Sequence, residues 1–112
     1  MADQNDILIK YAGLESDSWG DYKIKLTIEN NSDTDATVQI RDMSLNGYMI
    51  DGIMSCDVVA GKKANDGISI WESKLEENNI TELEETEFYF HVYTLEGWDT
   101  IFDSDVIKIE FK

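Results

Sequence analysis

Carboxylate side chains gather at three places in the sequence where the chain is expected to form loops. The three groups are Glu15, Asp17 and Asp21, then Asp33 and Asp35, and finally Asp99, Asp103 and Asp105. Because Ca²⁺ takes roughly six to eight oxygen ligands, which loops often supply, these residues are candidate calcium ligands. The segment Asp33-Thr34-Asp35 lacks the following glycine and the distal glutamate of an EF-hand loop. The alternative interpretation is a solvated acidic surface that keeps the protein soluble.

Aromatic side chains form a second candidate site. The sequence has the tryptophans Trp19, Trp71 and Trp98, and the tyrosines Tyr89 and Tyr93 lie on the expected outer face of one strand. Flat, exposed rings can stack on sugars, so these residues could form a carbohydrate-binding surface. The alternative is that at least one tryptophan fills the core or covers a sheet edge, and that Trp71 and Tyr89 pair across two strands.

The single histidine and the single cysteine do not indicate catalysis. His91 lies in a strand-like run without a nucleophile motif, whereas a catalytic triad needs a base beside an activated nucleophile. Cys56 lies in an apolar stretch, where Asp57 is expected to raise the thiol pKa and so keep the group unreactive. A hydrolase using Asp99 and Asp103 would need an apolar pocket around one of them. We therefore expect no enzyme activity, and we assign no catalytic, cofactor-binding or metal-binding residue and no cofactor.

The charge of the chain limits its partners. With 24 acidic and 9 basic residues, the formal net charge is −15, which opposes binding to nucleic acid or to anionic lipid and favours a basic partner. A hydrophobic fraction of 42% is too high for a disordered acidic tail. The segment Gly61-Lys62-Lys63 lacks the spacing of a phosphate-binding loop, and its lysines are expected to protect a strand edge from pairing.

The elements that must position these residues are predicted to be strands. Apolar and polar residues alternate with a period of two in runs rich in β-branched and aromatic residues, at 7–11, 23–29, 37–41, 68–71, 88–93 and 106–111. Turn-forming residues separate the runs at 30–33, 60–63 and 96–97, and Asn46-Gly47 is the strongest hairpin signal. Roughly eight short strands at intervals of about 8–12 residues predict an antiparallel sandwich.

One segment departs from the strand pattern. Ser73-Lys74-Leu75-Glu76 has the form of a capping box, which predicts a short helical turn near residues 73–79 with Leu75 facing inward; the alternative is a polar loop. A chain of 112 residues can bury roughly two-thirds of its unfolded surface, enough for one core. We therefore expect a single domain over residues 1–112, with an ordered core over about 7–111.

The order of these features resembles a known type of domain. A strand closing at residues 28–33, the run 38–48 with its Asn-Gly turn, the segment 57–70 and the strand 87–93 are similar to uncharacterised immunoglobulin-like domains. Such domains occur in surface lipoproteins and membrane-anchored proteins of Gram-positive gut bacteria. The resemblance covers residues 7–111 and implies an all-β, immunoglobulin-like antiparallel β-sandwich of about seven to eight strands. It also implies an extracytoplasmic location, at the cell surface or secreted, and no enzyme activity.

Residues and resemblance together give an expected function. We expect a non-catalytic extracytoplasmic β-sandwich module that acts as a spacer or protein-interaction domain. The alternative is a carbohydrate- or calcium-binding surface module. The expected partner is a protein or a glycan at the cell surface, not nucleic acid. Direct membrane insertion is not expected, because no apolar run approaches the roughly 18 residues of a transmembrane helix. The start of the chain shows no secretion signal, which fits either a cytoplasmic protein or an excised domain. It also shows no lipid-attachment cysteine, which fits an excised domain.

Overall fold

The computed structural model describes residues 1–111, which form ten strands and one short helix. In chain order the elements are β1 (Ala2–Gln4), β2 (Ile7–Ser16), β3 (Tyr22–Asn30), β4 (Ala36–Leu45), β5 (Tyr48–Met49), β6 (Ser55–Val58), β7 (Lys63–Ile70), α1 (Glu72–Glu77), β8 (Glu85–Thr94), β9 (Thr100–Asp103) and β10 (Ile107–Glu110). Among the described residues, no helix is long and apolar enough to cross a membrane.

The strands form two antiparallel sheets that pack face to face. The first sheet has the order β1-β2-β3-β7, and the second has the order β10-β8-β4-β5, with β6 paired to β4 and β9 paired to β8. The chain changes sheet after β3, after β6 and again through α1, which is a Greek-key connectivity. The prediction of an all-β, immunoglobulin-like antiparallel sandwich is confirmed.

The number of strands differs from the expected seven or eight. β1 and β5 have three and two residues, which is too short for an alternating pattern to be visible in the sequence. The last predicted run, 106–111, covers β10 alone, and the four-residue β9 before it is a further short strand that residues 104–106 separate from β10. The additional strands are therefore short edge segments, and the central strands lie where the alternation predicts them.

The core lies between the inner faces of the two sheets. Ile24, Leu26 and Ile28 of β3 point inward from the first sheet and are almost completely buried. From the second sheet, Phe88 and Phe90 of β8 also point inward, with ring centroids 5.3 Å apart and an edge-to-face angle of 79°. Because alternate residues of a strand point to opposite faces, the polar residues that alternate with these along each strand lie on the outer faces.

Two local predictions have different outcomes. The hairpin at Asn46-Gly47 is confirmed, since both residues have positive φ, 50° and 85°, and they join β4 to β5. The helix is confirmed and buries Leu75, but the capping box is wrong. Ser73 lies inside the helix, which begins at Glu72. The Glu72 N–H donates instead to the Asp21 carboxylate at 2.7 Å.

The lysines at the start of β7 were predicted to protect a strand edge, and β7 does lie at the edge of a sheet. β7 is the outermost strand beside β3 in the first sheet, and Lys63 is its first residue. Lys63 Nζ lies 2.9 Å from Glu29 Oε1, and this contact lowers the pKa of Glu29. A charged side chain at this position opposes the addition of another strand.

Candidate functional site

The outer face of the second sheet carries a group of polar and aromatic side chains. The register of β4 and β8 places Gln39 opposite His91 and Arg41 opposite Tyr89. Gln39, Arg41, His91, Tyr93 and Trp98 line one shallow depression of about 370 Å³. We call these five residues the aromatic face.

Direct contacts hold three of these side chains in place. The amide nitrogen of Gln39 donates to the Tyr93 hydroxyl at 3.0 Å and lies 3.4 Å from the Ser55 hydroxyl oxygen on β6. The His91 and Tyr93 rings have centroids 5.3 Å apart and are tilted by 31°. Ordered side chains lose little conformational entropy when a ligand binds, so this surface is preorganised.

Trp98 completes the aromatic face from the turn between β8 and β9. Its side chain is 79% exposed, and its backbone has a φ of 56°. The Trp98 N–H donates to the Thr94 carbonyl at 3.0 Å, and the Asp99 N–H donates to the Thr94 hydroxyl at 3.0 Å. A bulky residue with positive φ is strained, and an exposed indole keeps a large apolar surface in water. Folding alone does not explain a tryptophan at this position.

His91 has a partner that the sequence pattern did not identify. Its Nδ1 lies 2.5 Å from an Asp103 carboxylate oxygen, and the two residues are opposite each other on β8 and β9. This is the base and orienting-carboxylate part of a catalytic triad. The hydroxyl in register across the sheet belongs to Ser55, with Gln39 between them, which places it two strand spacings or about 10 Å away. A nucleophile must lie within about 3 Å of the base.

The carboxylates of the first acidic group act as acceptors for backbone groups. One Asp17 oxygen accepts the N–H groups of Trp19, at 2.8 Å, and of Asp21, at 3.1 Å. Asp21 itself caps α1 through the Glu72 N–H. These two residues therefore shape the β2–β3 turn and fix the start of the helix.

The other predicted calcium ligands lie in several places, and the exposed Asp105 follows β9 and does not line the cleft that three of them share. Asp33, Asp35 and Asp99 lie with Glu96 around an open cleft of about 550 Å³ at one end of the strands, whereas Asp103 pairs with His91. One Asp35 oxygen already accepts the Ala60 N–H at 2.9 Å. Within residues 1–111, no three His, Cys, Asp or Glu side chains are placed to hold a metal ion. The predicted calcium ligands do not form an assembled site there.

The other two tryptophans lie at the opposite end of the strands. Trp19, in the β2–β3 turn, is 80% exposed, and Trp71, after β7, is 52% exposed. Of the two expected structural roles, filling the core is wrong, because phenylalanine and aliphatic side chains fill that space in the described residues. Trp71 instead directly follows the edge strand β7. A cross-strand pair between Trp71 and Tyr89 is also wrong, because β7 and β8 belong to different sheets. Both findings leave aromatic surface free for contact.

Cys56 is a buried thiol, and its pKa is raised to about 12. Burial is the main cause, followed by the hydrogen bond to Asp66 and the charge of that residue, and then by the charge of Asp57. The predicted direction is confirmed, but Asp57 has the smallest effect of these. Asp66 lies on β7, in the other sheet, so the pattern around Cys56 gave no sign of it.

Comparisons with known proteins add little to this description. No protein-family model matches the chain, and no curated protein matches it. Among solved structures, the chain is similar to a FixG-related protein from Vibrio parahaemolyticus, with 13% sequence identity and a TM-score of 0.45. The alignment covers 94% of this chain and 95% of that one. We therefore infer function from the residues of this chain.

Proposed function

We propose that the protein is a non-catalytic recognition module that binds its partner on the aromatic face. The observation that carries this proposal is Trp98, which is 79% exposed in a hydrogen-bonded turn beside the ordered His91 and Tyr93 rings. The hydrogen-bonded turn fixes the backbone that carries the exposed indole, and the ordered rings beside it supply contact area at low entropic cost. Aromatic side chains dominate many binding surfaces.

The charged groups of the face support the same role. The chain has one arginine, Arg41, and one histidine, His91, and both belong to the aromatic face. Arg41 is exposed, and within residues 1–111 it makes no ion pair with a carboxylate. In a chain with 24 acidic residues, a guanidinium without a carboxylate partner leaves several hydrogen-bond donors available to a ligand.

The remaining expected functions have less support. A spacer needs no ordered aromatic surface, and calcium binding lacks an assembled group of ligands in the described chain. A hydrolytic role would need a nucleophile near the His91–Asp103 pair, and the hydroxyl in register is two strands away. We propose that the module acts outside the cytoplasm, at the cell surface, as the resemblance of its sequence to surface immunoglobulin-like domains implies.

A comparison of two tryptophan variants tests the proposal. Wild-type chain, Trp98→Ala and the control Trp71→Ala are assayed against polysaccharide and protein fractions of a Gram-positive cell envelope. We expect the wild type and Trp71→Ala to bind one fraction equally, and Trp98→Ala to bind it about tenfold more weakly. Equal binding by all three variants, or no binding of the wild type to either fraction, would overturn the proposal and favour a spacer.

A further inference from the structure

We propose that the ligand of the aromatic face is a neutral glycan, lying across the Tyr93 and Trp98 rings with its hydroxyl groups bonded by Gln39, Arg41 and Asp103. This inference rests on the proposed recognition function and names the ligand class. The observation behind it is the combination, in one shallow depression, of ordered rings with an amide and with a guanidinium that makes no ion pair within residues 1–111.

The rings suit a sugar because the depression is flat and open. The His91 and Tyr93 rings lie 5.3 Å apart on one strand, and Trp98 adds an indole from the adjoining turn. The apolar C–H face of a pyranose can cover such rings without entering a deep pocket. A peptide that depends on one large apolar anchor would need a pocket that buries it, whereas this depression is open and is lined by the polar groups of Gln39, Arg41 and His91.

The polar groups provide both hydrogen-bonding roles of a sugar hydroxyl, which is donor and acceptor at once. Arg41 offers donors only, and the exposed Asp103 carboxylate offers acceptors beyond the oxygen that faces His91. The Gln39 amide nitrogen already donates to the Tyr93 hydroxyl, and the Gln39 carbonyl oxygen is an acceptor that a ligand can use. The aromatic face and the adjoining Asp103 therefore offer both donors and acceptors, so hydroxyls of different orientation can be bonded.

The charge of the chain selects a neutral sugar. A net charge of −15 repels polyanions such as uronic-acid polymers, and a lone guanidinium does not reverse that field. A basic peptide would instead be attracted to the cleft around Asp33, Asp35 and Asp99, which lies at the end of the strands, and Arg41 would repel it from the face. Neither the negative net charge of the chain nor the positive charge of Arg41 repels an uncharged chain of sugars.

Nuclear magnetic resonance can test this directly, because the three tryptophans give three separate indole N–H signals. The ¹⁵N-labelled chain is titrated with xylo-, cello-, manno- and chito-oligosaccharides, with an oligogalacturonate of equal length as the charged control. We expect a neutral oligosaccharide to shift the Trp98 signal and to leave the Trp19 and Trp71 signals in place. Trp98→Ala and Arg41→Ala should each weaken binding by about tenfold, and Trp71→Ala should not change it.

Other outcomes separate the two proposals. If only the oligogalacturonate or the envelope protein fraction binds, and binding depends on Trp98, the neutral-glycan inference fails while the recognition function stands. If a neutral sugar binds but shifts Trp71 instead of Trp98, the assigned surface is wrong. If neither glycans nor envelope proteins bind the wild type, both proposals fail. Because Trp98 and Arg41 are exposed, their variants should keep the wild-type spectrum elsewhere.

Discussion

The Asp21 carboxylate accepts a hydrogen bond of 2.7 Å from the backbone N–H of Glu72, although 51 residues separate the two in the sequence. This contact joins the β2–β3 turn to the first residue of α1. The residue before the helix, Trp71, provides no side-chain cap. A residue far away in the sequence therefore caps this helix, whereas in most helices the capping residue directly precedes the first turn.

Replacement of Asp21 by alanine should destabilise the fold. The Glu72 N–H would lose its acceptor, and loss of a helix cap costs about 1 kcal/mol, which for a domain of this size corresponds to about 4 °C in melting temperature. Asp21→Asn is the matched control, because its amide oxygen can still accept the bond. Thermal unfolding followed by circular dichroism measures both variants. Equal losses in the two would contradict the capping role.

Replacement of Glu76 by glutamine should stabilise the fold, in contrast to the loss expected for Asp21→Ala. Glu76, by its side-chain contact and its charge, raises the pKa of Glu72, and Asp21 adds to the effect, so the ionised Glu72 is disfavoured in the folded protein. A carboxyl group whose pKa is higher in the folded state reduces stability once the pH exceeds its unfolded pKa. Glu76→Gln removes the contact and should raise the melting temperature at pH 7.

The pH dependence distinguishes this explanation from a general loss of negative charge. The gain from Glu76→Gln should shrink as the pH falls through the raised pKa of Glu72, because protonated Glu72 no longer repels its neighbour. Glu96→Gln removes an exposed charge from the β8–β9 turn and serves as the control, since Glu77, on the same helix as Glu76, contacts Lys74 at 3.7 Å. An equal gain for Glu96→Gln would assign the effect to net charge alone.

Replacement of Asn30, the last residue of β3, should also destabilise the fold. Its side chain is fully buried, its amide nitrogen donates at 2.8 Å to the carbonyls of both Thr34 and Val58, and its oxygen accepts from Ser32. Asn30→Ala leaves these buried groups without partners, which costs about 1–3 kcal/mol for each unsatisfied group. We expect Asn30→Ala to lower the urea midpoint strongly.

Asn30→Asp refines this prediction because it keeps the size of the side chain. Its carboxylate would face the Thr34 and Val58 carbonyl oxygens and could not donate to them, so we expect a loss at least as large at pH 7. Asn31→Ala, one residue along the chain, is the control and should lie close to the wild type. A small effect of both Asn30 variants would mean that water replaces the amide.

The fold could be predicted because its signals are local. In β3 and β8, apolar residues alternate with polar ones, and the buried positions match that alternation at Ile24, Leu26, Phe88 and Phe90. The start of α1 could not be predicted, because its cap comes from a turn far away in the sequence. Ser73 has the right residue type for a local cap, which would start the helix at Lys74. The contact with Asp21 instead fixes the start of the helix at Glu72, two residues earlier.

The candidate site could be predicted only in part. Tyr93 and the tryptophans were recognisable as candidate sugar-stacking residues, and Asp103 was recognisable as acidic. Their grouping with Gln39 and Arg41 depends on the register of β4, β8 and β9. That register shifts between Arg41 and Ser44 and again between Val92 and Tyr93, and no residue type in the sequence marks these irregularities unambiguously.

Cys56 gives the last prediction, which concerns alkaline pH. The pKa of its thiol rises from an ordinary 9.0 to about 12 in the folded protein, because of burial and then of the bond to Asp66. The unfolded chain therefore loses this proton at lower pH than the folded one. The stability contribution is complete below about pH 9 and is lost as the pH rises towards 12.

Iodoacetamide, which reacts with the thiolate, measures this difference. At pH 8.5 the native chain should be alkylated far more slowly than the chain in 8 M urea, where Cys56 is exposed and has its ordinary pKa. Asp66→Asn should speed alkylation of the native chain, because it removes the second cause of the raised pKa, whereas Asp57→Asn should have a smaller effect. Equal acceleration by both variants would show that the two carboxylates act only through distant charge, and the direct contact between Cys56 and Asp66 would be wrong.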